Sequence, residues 1–130
     1  MSDSIFTQII RGEIPSHKIY EDEKTFVFLD IHPVQPGHTL VVPKIEIEFL
    51  WDLDQETYEA VMSTAHKVAL RLRQVFDKPY VGMKVVGIDV PHAHVHLIPF
   101  STLNEFNDVP EPTSEPYHER LSAIAKKLAF

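Results

Sequence analysis

The chain contains no cysteine, so it can form neither a disulfide nor a thiolate metal centre, and its composition fits a reducing compartment. Internal repeats and low-complexity tracts are lacking too. No apolar run approaches the roughly 20 residues that span a bilayer. Acidic Asp3 stands where a secretory leader would be basic. Positive charge is scarce: 12 Lys and Arg face 19 Asp and Glu, a formal charge of −7 with a pI near 5.5. Affinity for nucleic acid or an anionic membrane draws on surplus Lys and Arg, so neither is expected as a partner, and an anionic ligand must meet a local positive site. At 130 residues with 44% hydrophobic content, the chain can bury roughly two thirds of its extended surface around one core. The expectation is a cytoplasmic protein of a single domain over 1–130, with its core in 4–100 and a C-terminal tail over 101–130.

Apolar periodicity supplies the elements. SIFTQIIR at 4–11 sets Ser4 as an N-cap and Gly12 as a stop around Ile5, Phe6, Ile9 and Ile10, which predicts a short helix. HKIYE at 17–21 and TFVFLD at 25–30 read as a hairpin, and TLVVPK at 39–44 as a third strand after the HPVQPG loop. Between Asp52 and Asp77, Tyr58, Val61, Met62, Ala65, Val68, Ala69, Leu72, Val75 and Phe76 recur at i, i+3, i+4, i+7, predicting one long helix capped by Asp52 or Asp54. YVGMKVVG at 80–87 and VPHAHVHLIPF at 90–100 read as strands four and five. Three prolines make 101–116 an extended loop, and YHERLSAIAKKLA at 117–129 a final short helix.

The fifth strand carries His92, His94 and His96 on alternate positions, bracketed by Pro91 and Pro99. Alternation along a strand puts all three imidazoles on one face and Ala93, Val95 and Leu97 on the other. Three readings compete. The histidines could be surface or core residues by chance, or ligands of zinc or iron. The third reading is catalysis on a phosphate, with one neutral imidazole as nucleophile and its neighbours as hydrogen-bond donors. Three in a row rarely converge on one ion, and three of the eight histidines within five residues are too many for chance, so the third reading is favoured.

The run His92-Ala93-His94-Val95-His96-Leu97-Ile98 resembles the signature of the histidine triad (HIT) superfamily of nucleotide hydrolases and transferases. IFTQIIRGEIPSHKIYED and FVFLDIHPVQPGHTLVVPK resemble the N-terminal half of its Hint branch and bacterial relatives. The resemblance implies an α+β fold, a five-stranded antiparallel sheet with one long and one short helix packed on it, followed here by a C-terminal extended tail and short helix, and usually a homodimer. It implies a purine nucleotide substrate, a derivative of AMP or GMP, and no cofactor or metal. Phe6, Ile9, Phe28 and Ile31 match positions that sandwich the purine, Asp30 the residue that accepts both ribose hydroxyls, and His38 a histidine beside the α-phosphate. His94 matches the nucleophile, with its second nitrogen held by the His92 carbonyl, while His96 and His38 would donate to phosphate oxygens. His17, His66 and His118 match nothing functional and read as surface residues.

The chain also departs from that pattern. Relatives carry an Asn and then Gly-Gln-Ser/Thr ahead of the triad, where this chain has only VVGIDVPH: Gly87 fits, Ile88 and Asp89 replace Gln and the hydroxyl, and the Asn is missing. Asp89 is retained as a candidate at the nucleotide. The implied activity is a purine nucleoside phosphoramidase working through a nucleotidyl-histidine. The alternatives are a diadenosine polyphosphate hydrolase, a nucleotidyl transferase, or a binding module that no longer uses its triad.

Overall fold

The computed structural model describes residues 3–110 and 116–130. The part of the expected extended loop at 111–115 lies outside the described residues. Ser4 accepts the Thr7 amide and starts the first helix, α1 (Ile5–Ile10). Two strands follow as a hairpin, β1 (Lys18–Glu21) and β2 (Thr25–Leu29), its turn tied by Asp22 Oδ1, which accepts the amides of Lys24 and Thr25. Next come β3 (Thr39–Pro43), a 3₁₀ turn at Leu50–Asp52, and the long helix α2 (Gln55–Val75), whose N-cap is Asp54. The chain then forms β4 (Tyr80–Lys84), β5 (Val95–Phe100), α3 (Leu103–Phe106) and α4 (His118–Leu128). The fold is α+β, as expected: one antiparallel sheet in the order β1-β2-β3-β5-β4, so β5 is inserted between β3 and β4 and leaves β4 at an edge.

Strand alternation sorts the apolar side chains into two clusters on opposite faces. Val27, Leu29, Val41, Val95 and Leu97 meet Val61, Ala65, Val68 and Leu72 of α2 in the main core. Phe26, Phe28, Leu40 and Val42 meet Phe6 of α1 in a smaller cluster. The site is built on the α1 side.

Three features differ from the sequence reading. β5 begins only at Val95, so His92 and His94 precede the ladder. The last β3–β5 pair is Val41 with Val95 although β3 runs on to Pro43, because the Ala93 amide donates instead to the Ile47 carbonyl at 2.7 Å in the segment beyond β3. The alternation still holds in space, because Ala93, Val95 and Leu97 all enter the main core. Pro99 lies inside β5 rather than bounding it, opposite Val81. β3 pairs with β5 only as far as Leu97, so a residue without an amide hydrogen is tolerated there.

The third difference concerns the tail. Thr102 caps the four-residue helix α3 within the expected loop, and the ring of Phe106 packs 4.9 Å from that of Phe100. Leu121, Ala125 and Leu128 of α4 belong to the main core, with Leu128 1% exposed. The last helix is thus part of the packed body, not an appendage to it.

Candidate active site

Four buried histidines, His38, His92, His94 and His96, are each oriented by the backbone or by one another. His92 Nε2 lies 2.8 Å from the Pro43 carbonyl oxygen, which can only accept, so Nε2 carries the proton. His92 Nδ1 accepts from the Ser4 hydroxyl at 2.8 Å. His94 Nδ1 donates to the His92 carbonyl at 2.7 Å, which leaves the lone pair of the neutral ring on Nε2. His38 Nδ1 accepts from the Val34 amide at 3.0 Å. His38 Nε2 must then hold the proton, and it donates to His96 Nδ1 at 2.9 Å. The proton of His96 is thereby placed on its Nε2. Among the described residues, the buried side-chain nitrogens without a protein partner are His94 Nε2 and His96 Nε2. In the neutral rings one offers a lone pair and the other an N–H, and the rings are 5.0 Å apart.

Gly37 makes this arrangement possible. Its φ of +92° suits glycine, and a Cβ there would stand 2.7 Å from the Phe76 ring. The loop can therefore turn tightly enough to deliver His38 to the start of β3. Both nitrogens of His38 are engaged inside the protein, so it sets the tautomer of His96; the expected direct donation from His38 to a phosphate oxygen is not what this geometry offers.

Sequence reading missed the support behind His92. Glu46 Oε1 accepts the Ser4 amide and the Thr7 hydroxyl, both at 2.6 Å. Those bonds, the Thr7 hydroxyl first, hold the Glu46 carboxyl down at about 2. Ser4 also accepts the Thr7 amide at 3.0 Å, so helix cap and histidine clamp are one device. Ser4 was visible as a cap in sequence. Glu46 was not, because it lies 42 residues from Ser4 in an irregular segment.

A cavity of about 230 Å³ opens beside the two free nitrogens, and Phe6, Ile9, Phe28, Asp30, Ile31 and Asp89 all line it together with His94 and His96. The structure thus brings every expected nucleotide-contacting residue to one place. The Phe6 ring stands edge-on to Phe28 at 5.4 Å and to His94 at 4.9 Å, so it walls the cavity and backs the nucleophile candidate. Asp30 directly follows β2, with Oδ1 accepting the His32 amide at 2.8 Å. Asp89 Oδ1 lies 3.5 Å from His94 Nε2 on a side chain 71% exposed. His66 and His118 are exposed, and His17 Nε2 lies 3.0 Å from His118 Nδ1, away from the cavity.

Burial sets the charge state. Desolvation pushes His38 down to about 3 and His96 to about 4, in each case helped by a neighbouring histidine. His92 is lowered as well, burial again leading. These imidazoles are neutral at pH 7, as the tautomer assignments require. Burial raises the Asp30 carboxyl, opposed by the His32 amide. Asp30, His38 and His96 also offer ligand atoms within 4.8 Å of one another, a spacing that could hold a cation. Such an ion would have to displace the hydrogen bond between the two histidines.

An antiparallel five-stranded sheet with three closely spaced imidazoles on its α1 face is the architecture of histidine triad proteins, and residues 11–103 match the HIT domain. The chain belongs to the HIT family. It is 36% identical to the Bacillus subtilis protein hit, over 96% of this chain and 94% of that one. An adenosine 5′-monophosphoramidase of Saccharomyces cerevisiae is 32% identical, over 95% of this chain and 79% of its own length. The crystal structure of a Hit-like protein from Bartonella henselae superposes with a TM-score of 0.82 at 34% identity, covering 97% of this chain and 94% of that one.

Proposed function

We propose that the protein hydrolyses derivatives of purine nucleoside 5′-monophosphates, phosphoramidates above all, with His94 as covalent nucleophile. The observation that carries this reading is the buried Nε2 of His94, which keeps its lone pair because Nδ1 is committed to the His92 carbonyl; His94 lines the cavity, its Nε2 has no hydrogen-bond partner, and the exposed Asp89 carboxylate lies 3.5 Å away. The named activity of the yeast relative supports the phosphoramidate class.

In the first step Nε2 attacks the α-phosphorus, and the bond from phosphorus to the leaving nitrogen breaks. The amine departs with the bonding pair and takes one proton from solvent, leaving a nucleotidyl-imidazolium that keeps Nδ1–H on the His92 carbonyl. In the second step water attacks phosphorus and gives one proton back to solvent, and the bond to Nε2 breaks with its electron pair returning to the imidazole, so one proton is taken up and one returned over the two steps. His96 Nε2–H donates to a non-bridging oxygen as charge grows there, the kind of preorganised donor that contributes most to such barriers. Asp30 accepts the ribose hydroxyls, and Phe6, Ile9, Phe28 and Ile31 hold the base.

This protein is also read as a cytoplasmic homodimer. The exposed edge strand β4, with Tyr80 56% and Met83 44% exposed, supports pairing with a second copy. Among the described residues no helix is long and apolar enough to cross a membrane.

The test is a fluorogenic adenosine 5′-phosphoramidate. Wild type should turn it over, and His94→Ala should lose at least about a thousandfold in kcat, the scale set by removing a covalent nucleophile, while still binding AMP. A variant retaining a tenth of wild-type activity would exclude covalent catalysis by His94. Tight AMP binding without turnover by wild type would favour a binding module.

A further inference from the structure

A second cavity of about 350 Å³ adjoins the first, and the two share Asp30, Asp89 and His96 in their walls. His94 lines the first and not the second. Displacement at phosphorus is in line, so the leaving group points away from the attacking nitrogen. With the nucleoside in the first cavity and phosphorus at the junction, the leaving group occupies the second.

The charged side chains of that second cavity are Asp30, Asp89 and Lys84. Asp30 already accepts the His32 amide, and in the reading above it also takes the ribose. Lys84 Nζ sits over the Phe106 ring, 5.2 Å from its centroid. The carboxylate left is that of Asp89, whose Oδ1 lies 3.5 Å from His94 Nε2 and whose side chain, 71% exposed, lines both cavities from the bend after Gly87 (φ +78°), with Val86 56% and Ile88 88% exposed beside it. Val86 and Ile88 line the same cavity and offer apolar contact to a short aliphatic stem.

We propose that Asp89 is a specificity-determining residue and that the second cavity is a leaving-group subsite selecting aliphatic amines that carry a positive charge. This rests on the phosphoramidase reading and adds to it the class of amine. A carboxylate near the reacting phosphorus attracts a cationic substituent and repels an anionic one such as a polyphosphate, since opposite charges a few ångströms apart near a protein surface gain appreciably over the same pair in water. Exposure of the carboxylate to salt keeps the effect moderate.

The experiment compares two adenosine 5′-phosphoramidates of nearly equal size, one of ethylenediamine, cationic at neutral pH, and one of n-propylamine, neutral. Wild type should prefer the cationic substrate by about fivefold or more in kcat/KM at low salt. Asp89→Asn, which keeps size and removes charge, should bring that ratio close to one, whatever it does to the absolute rates. Rising salt should erode the wild-type preference and leave the variant unmoved. Equal kcat/KM for the two substrates in wild type, or a ratio unchanged in Asp89→Asn, overturns the subsite and leaves the phosphoramidase reading standing. Failure of wild type to hydrolyse either substrate overturns both.

Discussion

His38 Nε2 stands 2.9 Å from His96 Nδ1, and the only proton arrangement open to the pair runs from the Val34 amide through His38 to His96. His38 thus decides which nitrogen of His96 faces the cavity. His38→Ala frees His96 to adopt the other tautomer, with a lone pair toward the phosphate. Loss of one such buried hydrogen bond costs about 1–3 kcal/mol, so kcat should fall about 5- to 150-fold with little change in AMP affinity. Nitrogen chemical shifts of His96 should report a mixed tautomer. A kcat within twofold of wild type, or a His96 resonance that does not move, would remove this role.

Acid stability follows from the same burial. In the unfolded chain histidine titrates near 6.5, whereas folded His38 and His96 are held at about 3 and about 4. The unfolded state therefore binds more protons below pH 6.5, and the stability contributed by the neutral imidazoles is complete above that pH. It is lost as pH falls from 6.5 toward 4 for His96 and toward 3 for His38. Urea midpoints across that range should drop with a slope approaching about 1.4 kcal/mol per pH unit for each histidine. The slope should be shallower in His96→Asn; identical slopes would contradict the neutral assignment.

Asp30→Asn keeps an oxygen to accept the His32 amide and removes the charge. Adenosine substrates should bind about 1–3 kcal/mol more weakly, the worth of a hydrogen bond to a charged acceptor. Wild type should discriminate against 2′-deoxyadenosine substrates, and the variant should do so much less. If both sugars lose affinity equally, Asp30 is not at the ribose.

Leu128→Ala tests whether the last helix is core. Leu128 is 1% exposed in the main cluster, and large-to-small changes at such sites cost about 2–5 kcal/mol. Chemical denaturation should show a loss of that size in one cooperative transition. A loss under about 1 kcal/mol would mean that α4 docks loosely.

What the sequence by itself determined was periodic or local. The 3.6-residue stripe of α2 with its cap at Asp52 or Asp54, the hairpin around Asp22, and the alternation of Ala93, Val95 and Leu97 against the histidines all appear in the structure, where Asp54 is the cap, because each depends on neighbours a few residues apart. The resemblance of the triad and the Asp30 and His38 segments assembled the rest of the site list, and those residues do converge. What tertiary structure decided was everything set by distant partners. The ladder starts at Val95 because the Ala93 amide turns to the Ile47 carbonyl instead of to β3, and Pro99 can sit inside a strand because β3 stops pairing at Leu97. α4 became core because its apolar stripe found β1 and α2. Proton positions were least legible of all: a histidine has the same sequence signature in either tautomer. Only the Pro43 and His92 carbonyls, the Val34 amide and the hydroxyl of Ser4, braced by Glu46, make His94 Nε2 a lone pair and His96 Nε2 a donor.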